Sequence, residues 1–285
     1  MNEQPPKSRR RWFSFSLRSM MLLVVVIAIP LGWKVNRARN QRVVVAELQK
    51  LTVTDIAYDY QFVAMKNGRG KSLPPGPGWL IDLLGEEYFV EVVQIAVDDP
   101  QVTDETIALI ARLPKIERVT LKSDRITDGG LVHFAGMHNL EVVTLYSNRI
   151  TGAGLVHLAE LKRLKWLDVW GWATDDSLEH ISTLKRLENL HVIEPSQVTD
   201  RGLANVAKLT NLQSLHLGND PRNTAGLQDY IKITDAGLGN LYGLKNLVSL
   251  RLNTTQVTQT GIDKLQKALP NCKIEWNPMR PNDSE

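Results

Sequence analysis

The chain has 285 residues, 43% of them hydrophobic, and a formal charge of +3, which fits an ordinary globular protein with a core and by itself excludes little. The charge is unevenly spread: residues 1–50 hold ten Lys and Arg against Glu3 and Glu47, a local +8 that leaves −5 for the remainder. A mildly acidic body argues against a DNA- or RNA-binding surface built on phosphate neutralisation, and one cysteine excludes an intramolecular disulfide.

Residues 1–11 form a basic tail, followed by an apolar run, MMLLVVVIAIPLGW, from Met20 to Trp33. That run is short for a membrane span. Extended back to Trp12 it becomes 22 residues bracketed by indoles, about 33 Å of helix, if Arg18 snorkels toward the headgroups. Residues 12–33 are therefore predicted to be a transmembrane anchor. A cleaved signal peptide is the rival reading, but no small-x-small site follows Trp33. Ser8–Phe13 loosely echoes a twin-arginine export signal. Five basic residues precede the apolar run and four closely follow it, a near tie. The tight cluster at the N-terminus favours a cytoplasmic N-terminus and an exported C-terminal domain, with the cytoplasmic membrane as the location.

Residues 34–50 are predicted to be a juxtamembrane helix and residues 51–91 an N-terminal cap. In the cap, Ile56, Tyr58, Tyr60 and Phe62 alternate like a strand, 66–78 is a Gly/Pro-rich loop, and Trp79–Leu84 suits a short helix. The loop sequence Gly68-Arg69-Gly70-Lys71-Ser72 lacks the preceding strand and full spacing of a phosphate-binding loop.

From residue 92 to 268 an L-x-x-L-x-L pattern recurs seven times, from Val92/Ile95/Val97 to Leu247/Leu250/Leu252. Each copy is followed by an Ile/Val-Thr-Asp-like element. The threonines at 103, 127, 151, 174, 199, 234 and 258 are spaced 24, 24, 23, 25, 35 and 24 apart, the long interval reflecting an insertion at 218–232. The apolar alternation predicts a short strand, and Thr-Asp ahead of a helical pattern predicts a short helix capped by Thr or Asp. One such unit cannot bury its apolar edge; stacked units share a core. Residues 269–276 are predicted to be a closing strand, containing Cys272 as a small apolar residue, and 277–285 a disordered tail.

These seven phased copies resemble the leucine-rich-repeat superfamily, in the I-T-D-x-G-L variety seen in F-box-associated and bacterial relatives, although no F-box-like segment is present. The layout around them, with Phe15-Ser16-Leu17-Arg18, Tyr58-Asp59-Tyr60, Gly78-Trp79-Leu80 and Leu269–Ile274, is similar to membrane-anchored repeat proteins of planctomycete bacteria. The resemblance implies an α/β fold: a right-handed solenoid with a curved parallel sheet on its concave side and short helices on its convex side. It implies almost no mechanism.

The outward positions of the strands form the concave face, where ligands of repeat proteins commonly dock. Its middle rows carry Tyr146, Trp166, Asp168, Trp170, His191 and His216, with Trp172 in the adjoining loop, where small polar residues are usual. Trp and Tyr are favoured binding anchors, yet the same rings can simply pack on one another. Asp168, His191 and His216 fall at equivalent positions in consecutive repeats, a row able in principle to take a metal or act as acid and base. A flat ladder lacks the converging ligands and walls such chemistry needs. His133, His157 and His180 fall on the solvent side of the helices, and the recurrent Asp104, Asp128, Asp175, Asp200 and Asp235 read as helix caps, not calcium ligands. The expectation is a non-enzymatic, cofactor-free, membrane-tethered module that binds a protein or glycan on its concave face. The alternatives are a structural component of a cell-envelope assembly and, more distantly, a metal-dependent site at the Asp168/His191/His216 row.

Overall fold

A computed structural model describes residues 17–61, 73–171, 173–194, 197–218 and 231–278. Among these residues nine strands form one sheet in strict chain order: β1 (Val53–Tyr58), β2 (Val92–Asp98), β3 (Arg118–Lys122), β4 (Val142–Tyr146), β5 (Trp166–Trp170), β6 (Asn189–Ile193), β7 (Ser214–Gly218), β8 (Ser249–Thr255) and β9 (Lys273–Pro278). β1 is antiparallel to β2 and every later pair is parallel. A long helix, α1 (Leu17–Leu48), precedes β1, and the connections carry short helices: α2 (Gly78–Leu84), α3 (Asp104–Ile110), α4 (Asp128–Leu131), α5 (Asp175–Ile181), α6 (Asp200–Val206), α7 (Asp235–Leu238) and α8 (Gln259–Ala268), with 3-10 turns between. This is an α/β solenoid of the leucine-rich-repeat type.

The inward leucines, isoleucines and valines of successive strands form one continuous core with those of the helices. Each fully buried aliphatic side chain contributes about 1.5–3 kcal/mol, so the repeats stabilise one another and not themselves.

The recurrent Thr-Asp pair does more than cap. Thr is the N-cap residue of α4, α5, α6, α7 and α8, and Asp, where present, follows it inside the helix. The Asp carboxylate then reaches the next repeat's threonine: Asp175 accepts from Thr199 N at 2.8 Å and Oγ1 at 2.6 Å, and Asp235 from Thr258 N at 2.8 Å and Oγ1 at 2.6 Å. Asp104, Asp128 and Asp200 do the same to Thr127, Thr151 and Thr234. The sequence reading of these aspartates as caps is therefore corrected to inter-repeat links.

The glycine of the same motif follows from that link, since a Cβ at Gly237 would lie 2.0 Å from Asp200 Oδ1 and one at Gly261 would lie 2.1 Å from Asp235 Oδ1. Between neighbouring repeats the chain departs from the Asp-to-Gly pattern once and compensates. Gly152 stands where Asp is expected, at φ +100°, and Ser177 stands where the next glycine is expected; a Cβ on Gly152 would come 2.5 Å from Ser177 Cβ. With no carboxylate arriving, Thr174 N donates instead to Ser177 Oγ at 2.7 Å.

Three boundaries differ from the sequence expectation. The anchor and juxtamembrane segments are one helix, α1, which passes through Pro30 without a break, while residues 12–16 lie outside the described residues. The cap strand stops at Tyr58: Gln61 Oε1 accepts from Tyr58 N at 2.9 Å and Asp59 Oδ1 from Tyr60 N at 2.9 Å, so the chain turns helical at 59–61 and Tyr60 stacks back on Tyr58. Phe62, the Gly68–Ser72 loop and insertion residues 219–230 lie outside the described residues. The closing strand begins at Lys273 and continues through Asn277 and Pro278, which pair with Asn253 and Thr255, so these two residues are not part of a disordered tail.

Between Met20 and Trp33 every residue of α1 is exposed, and an 18-residue window of the helix has mean hydropathy 1.8. Its C-terminal half behaves differently. Ala38, Gln41, Val44 and Leu48, at helical spacing, are buried against the first repeat. Gln41 acts as a surrogate backbone amide: Nε2 donates to Val90 O at 3.0 Å and Oε1 accepts from Val92 N at 3.1 Å. Arg37 pairs with Glu91 at 2.9 Å, and Arg42 pairs with Glu87. The apolar helix therefore continues directly into the cover of the solenoid's open end.

Candidate functional site

The parallel register places the outward residues in three rows across the concave face. One reads Arg118, Val142, Trp166, Asn189, Ser214; the next Thr120, Thr144, Asp168, His191, His216; the third Lys122, Tyr146, Trp170, Ile193, Gly218. Asp168, His191 and His216 thus occupy consecutive rungs, as their repeat positions imply. Trp172 lies outside the described residues.

In the middle row the polar groups are used on one another. Asp168 Oδ1 accepts from Trp166 Nε1 at 2.5 Å and lies 3.1 Å from His191 Nδ1, while Oδ2 accepts from Thr144 Oγ1 at 3.1 Å. Three donors converge on one carboxylate, which orients the His191 ring and spends the indole N–H. Trp166 meets His191 edge-on at 5.0 Å between centroids, and His191 meets His216 edge-on at 5.7 Å. His216 is buried, with Nε2 3.4 Å from Asn253 Nδ2. No group of three or more His, Cys, Asp or Glu is placed to hold a metal among the described residues. The arrangement is a packed aromatic and hydrogen-bonded strip in which Trp166 is a supporting member.

The third row is more open. Tyr146 and Trp170 stack at 4.4 Å between centroids and 28° between planes, and both are half-buried. They border a cleft of about 430 Å³ at the C-terminal ends of β2 to β6, lined also by Lys122, Arg125, Asp124 and Glu194. Lys122 pairs with Asp98 at 3.0 Å. The backbone leaves β5 through Gly171 at φ +86°, where a Cβ would meet Asn148 Oδ1 at 2.6 Å, and leaves β6 through Glu194 at φ +56°. A left-handed glutamate costs of order 1 kcal/mol, and such residues concentrate at ligand-facing positions. Asp124, Arg125, Asn148 and Glu194 were absent from the sequence reading, although their shared place just after each strand was a usable signal.

A second cleft of about 500 Å³ lies at the opposite ends of the strands, lined by Glu141, Arg163, Lys165, Arg186 and Glu188 among others. It contains no ring, and its charges pair internally, Arg163 with Glu141 and Lys165 with Glu188. The rings mark the first cleft as the better candidate.

At the C-terminal end of the middle row, Lys273 and Arg251 donate to Glu275 at 2.6 and 2.8 Å and hold its carboxyl down at about 2, so this end stays an ion-paired edge at neutral pH. His133 is exposed and His157 and His180 are half-buried on the convex side.

No protein-family model and no curated protein matches the chain. Among solved structures it is similar to an internalin C2 from Listeria monocytogenes, at 18% identity and TM-score 0.44 over 75% of this chain and 90% of that one. It is also similar to a leucine-rich-repeat protein of Leptospira interrogans, at 17% identity and TM-score 0.41 over 73% of this chain and 53% of that one. A third similarity is to TLR13 in a complex with ssRNA13, at 17% identity and TM-score 0.43 over 59% of this chain and 24% of that one. The fold assignment rests on the chain's own ladder of repeated strands, and by that ladder it is a leucine-rich-repeat solenoid.

Proposed function

We propose that the protein is a membrane-tethered recognition module that binds a protein or glycan at the Tyr146–Trp170 end of its concave face. The observation that carries this reading is the stacked Tyr146–Trp170 pair at the edge of a cleft bordered by charges of both signs. Two stacked rings offer a flat apolar platform at little entropic cost, and the surrounding Lys122, Arg125, Asp124 and Glu194 supply polar selection. Asp168, His191 and His216 form the row beside that platform, with Trp166 in the row beyond. The exposed apolar half of α1 supports tethering in a bilayer, and the basic cluster ahead of it supports a cytoplasmic N-terminus with the repeats exported.

The test is crosslinking capture from native membranes with the full chain and with Tyr146→Ala/Trp170→Ala. Loss of at least tenfold in captured partner, with unchanged thermal stability, is expected from removing two anchor rings worth about 1.4 kcal/mol or more together. Capture that survives the double substitution removes the concave site and favours a structural role in an envelope assembly.

A further inference from the structure

Among the described residues nothing buries the exposed short helix α2. It has the sequence GWLIDLL, none of its residues is buried, and Trp79 and Leu83 are 68% and 71% exposed. Leu73, just before it, is 87% exposed. Trp79 and Leu83 are four apart and therefore share a face, flanked by Asp82.

What lies beside α2 is the base of the apolar helix. Lys34 Nζ sits 5.9 Å from the Phe89 ring, and a Cβ at Gly76 would lie 3.2 Å from Phe89 and 3.8 Å from Ile81. Those contacts bring the start of α2 close to the Lys34 ammonium. Its far end is held higher, where Arg42 donates to Leu84 O at 3.4 Å. α2 therefore leans along α1 between Lys34 and Arg42, with Trp79 toward the Lys34 end. Lys34 directly follows Trp33, the last residue of the apolar run. The headgroup layer is roughly 5–8 Å thick per leaflet, so the first turn after Trp33 lies within it.

We propose that α2 is a second, interfacial contact with the bilayer that α1 crosses: Trp79, Leu83 and Leu73 rest in the headgroup layer as a foot beside the anchor. The proposal rests on the anchor reading of α1. Its occupant is lipid and not protein because α2 is tied to α1 within about two turns of the end of the apolar run, where Lys34 and Arg39 are exposed on α1, a pattern suited to anionic headgroups. Because α1 is docked on the first repeat through Gln41, Val44 and Leu48, two membrane contacts fix the tilt of the whole solenoid. The concave face would then meet its ligand at a set angle to the membrane.

The experiment uses the full chain in phosphatidylcholine–phosphatidylglycerol vesicles, with an environment-sensitive fluorophore placed singly through Trp79→Cys, Leu83→Cys, Val26→Cys or Val156→Cys in a Cys272→Ser background. Nitroxide lipids labelled near the headgroup or deep in the chain serve as quenchers. The expected result is loss of fluorescence at positions 79 and 83 with the shallow quencher, loss at position 26 with the deep one, and no loss at position 156 on the convex side. Quenching at 26 without quenching at 79 and 83 overturns the foot and leaves the anchor standing. No quenching at 26 overturns both. A dry but unquenched label at 79 means that protein, whether residues 62–72 or a second copy, covers α2, and also overturns the proposal. Should Cys272→Ser unfold the chain, the native background serves, since the Cys272 thiol is buried.

Discussion

Asp235 and Gly261 show how the repeats are joined at the level of single residues. The carboxylate of one repeat occupies the space that a side chain would fill in the next, and its oxygens satisfy the next threonine's N–H and hydroxyl. Gly261→Ala should cost about 1–3 kcal/mol through overpacking, and Asp235→Ala about 1.5–3 kcal/mol through its lost charge-assisted bonds. The double variant should fall well short of the sum, because the three heavy atoms nearest the added methyl all belong to Asp235. Urea unfolding of the four proteins checks this; strict additivity would show that the two residues do not act as one device. The same link titrates. Partial burial pushes the Asp128 carboxyl up, but hydrogen bonds from Thr151, Gly154 and Gly152 outweigh it and hold the group below its ordinary value. A lowered folded-state value means stability that is present above the unfolded value of about 4 and lost as pH falls through the folded one. Wild type should therefore lose its advantage over Asp128→Asn below about pH 4, which melting curves across that range would show.

Among the elements, α1 carries two roles in one rod. Its first half exposes an apolar surface throughout, and its second half closes the solenoid. Sequence periodicity alone separated the two halves at Trp33, since charge appears there, but could not say that helix continues across the junction or what it packs on. Gln41 is the clearest case. A glutamine in a polar stretch carries no signal that its amide will pair with Val90 and Val92, about fifty positions away. Gln41→Ala leaves both backbone groups without that partner and should destabilise the junction by about 2–4 kcal/mol. Earlier proteolytic nicking around residues 37–51, ahead of cleavage in the later repeats, would register it. Nicking at the wild-type rate would mean that the apolar contacts of Val44 and Leu48 suffice.

The whole molecule joins an apolar rod to a rigid, curved sheet, and its biological setting depends on which side of the membrane the sheet occupies. With a tag at Glu285, protease should digest the C-terminal domain once the outer barrier is permeabilised while the inner membrane stays sealed. Protection until the inner membrane is broken would reverse the proposed orientation and direct the partner search to the cytoplasm.

The repeat number, the strand positions and the alignment of Asp168, His191 and His216 on successive rungs were legible in the sequence because a solenoid converts linear period into spatial register: equivalent residues 23–25 apart become neighbours one strand over. The apolar helix was legible for a similar reason, being a contiguous local property. What only tertiary structure decided lies between repeats and beyond the period. The aspartates link repeats instead of merely capping helices, Gly152 and Ser177 exchange the usual bulk across an interface, and Trp166 gives its N–H to Asp168, leaving Tyr146 and Trp170 as the rings beside the cleft. Each of these depends on which atom fills a shared space once two chain segments meet, and a one-dimensional pattern records the segments but not their contact.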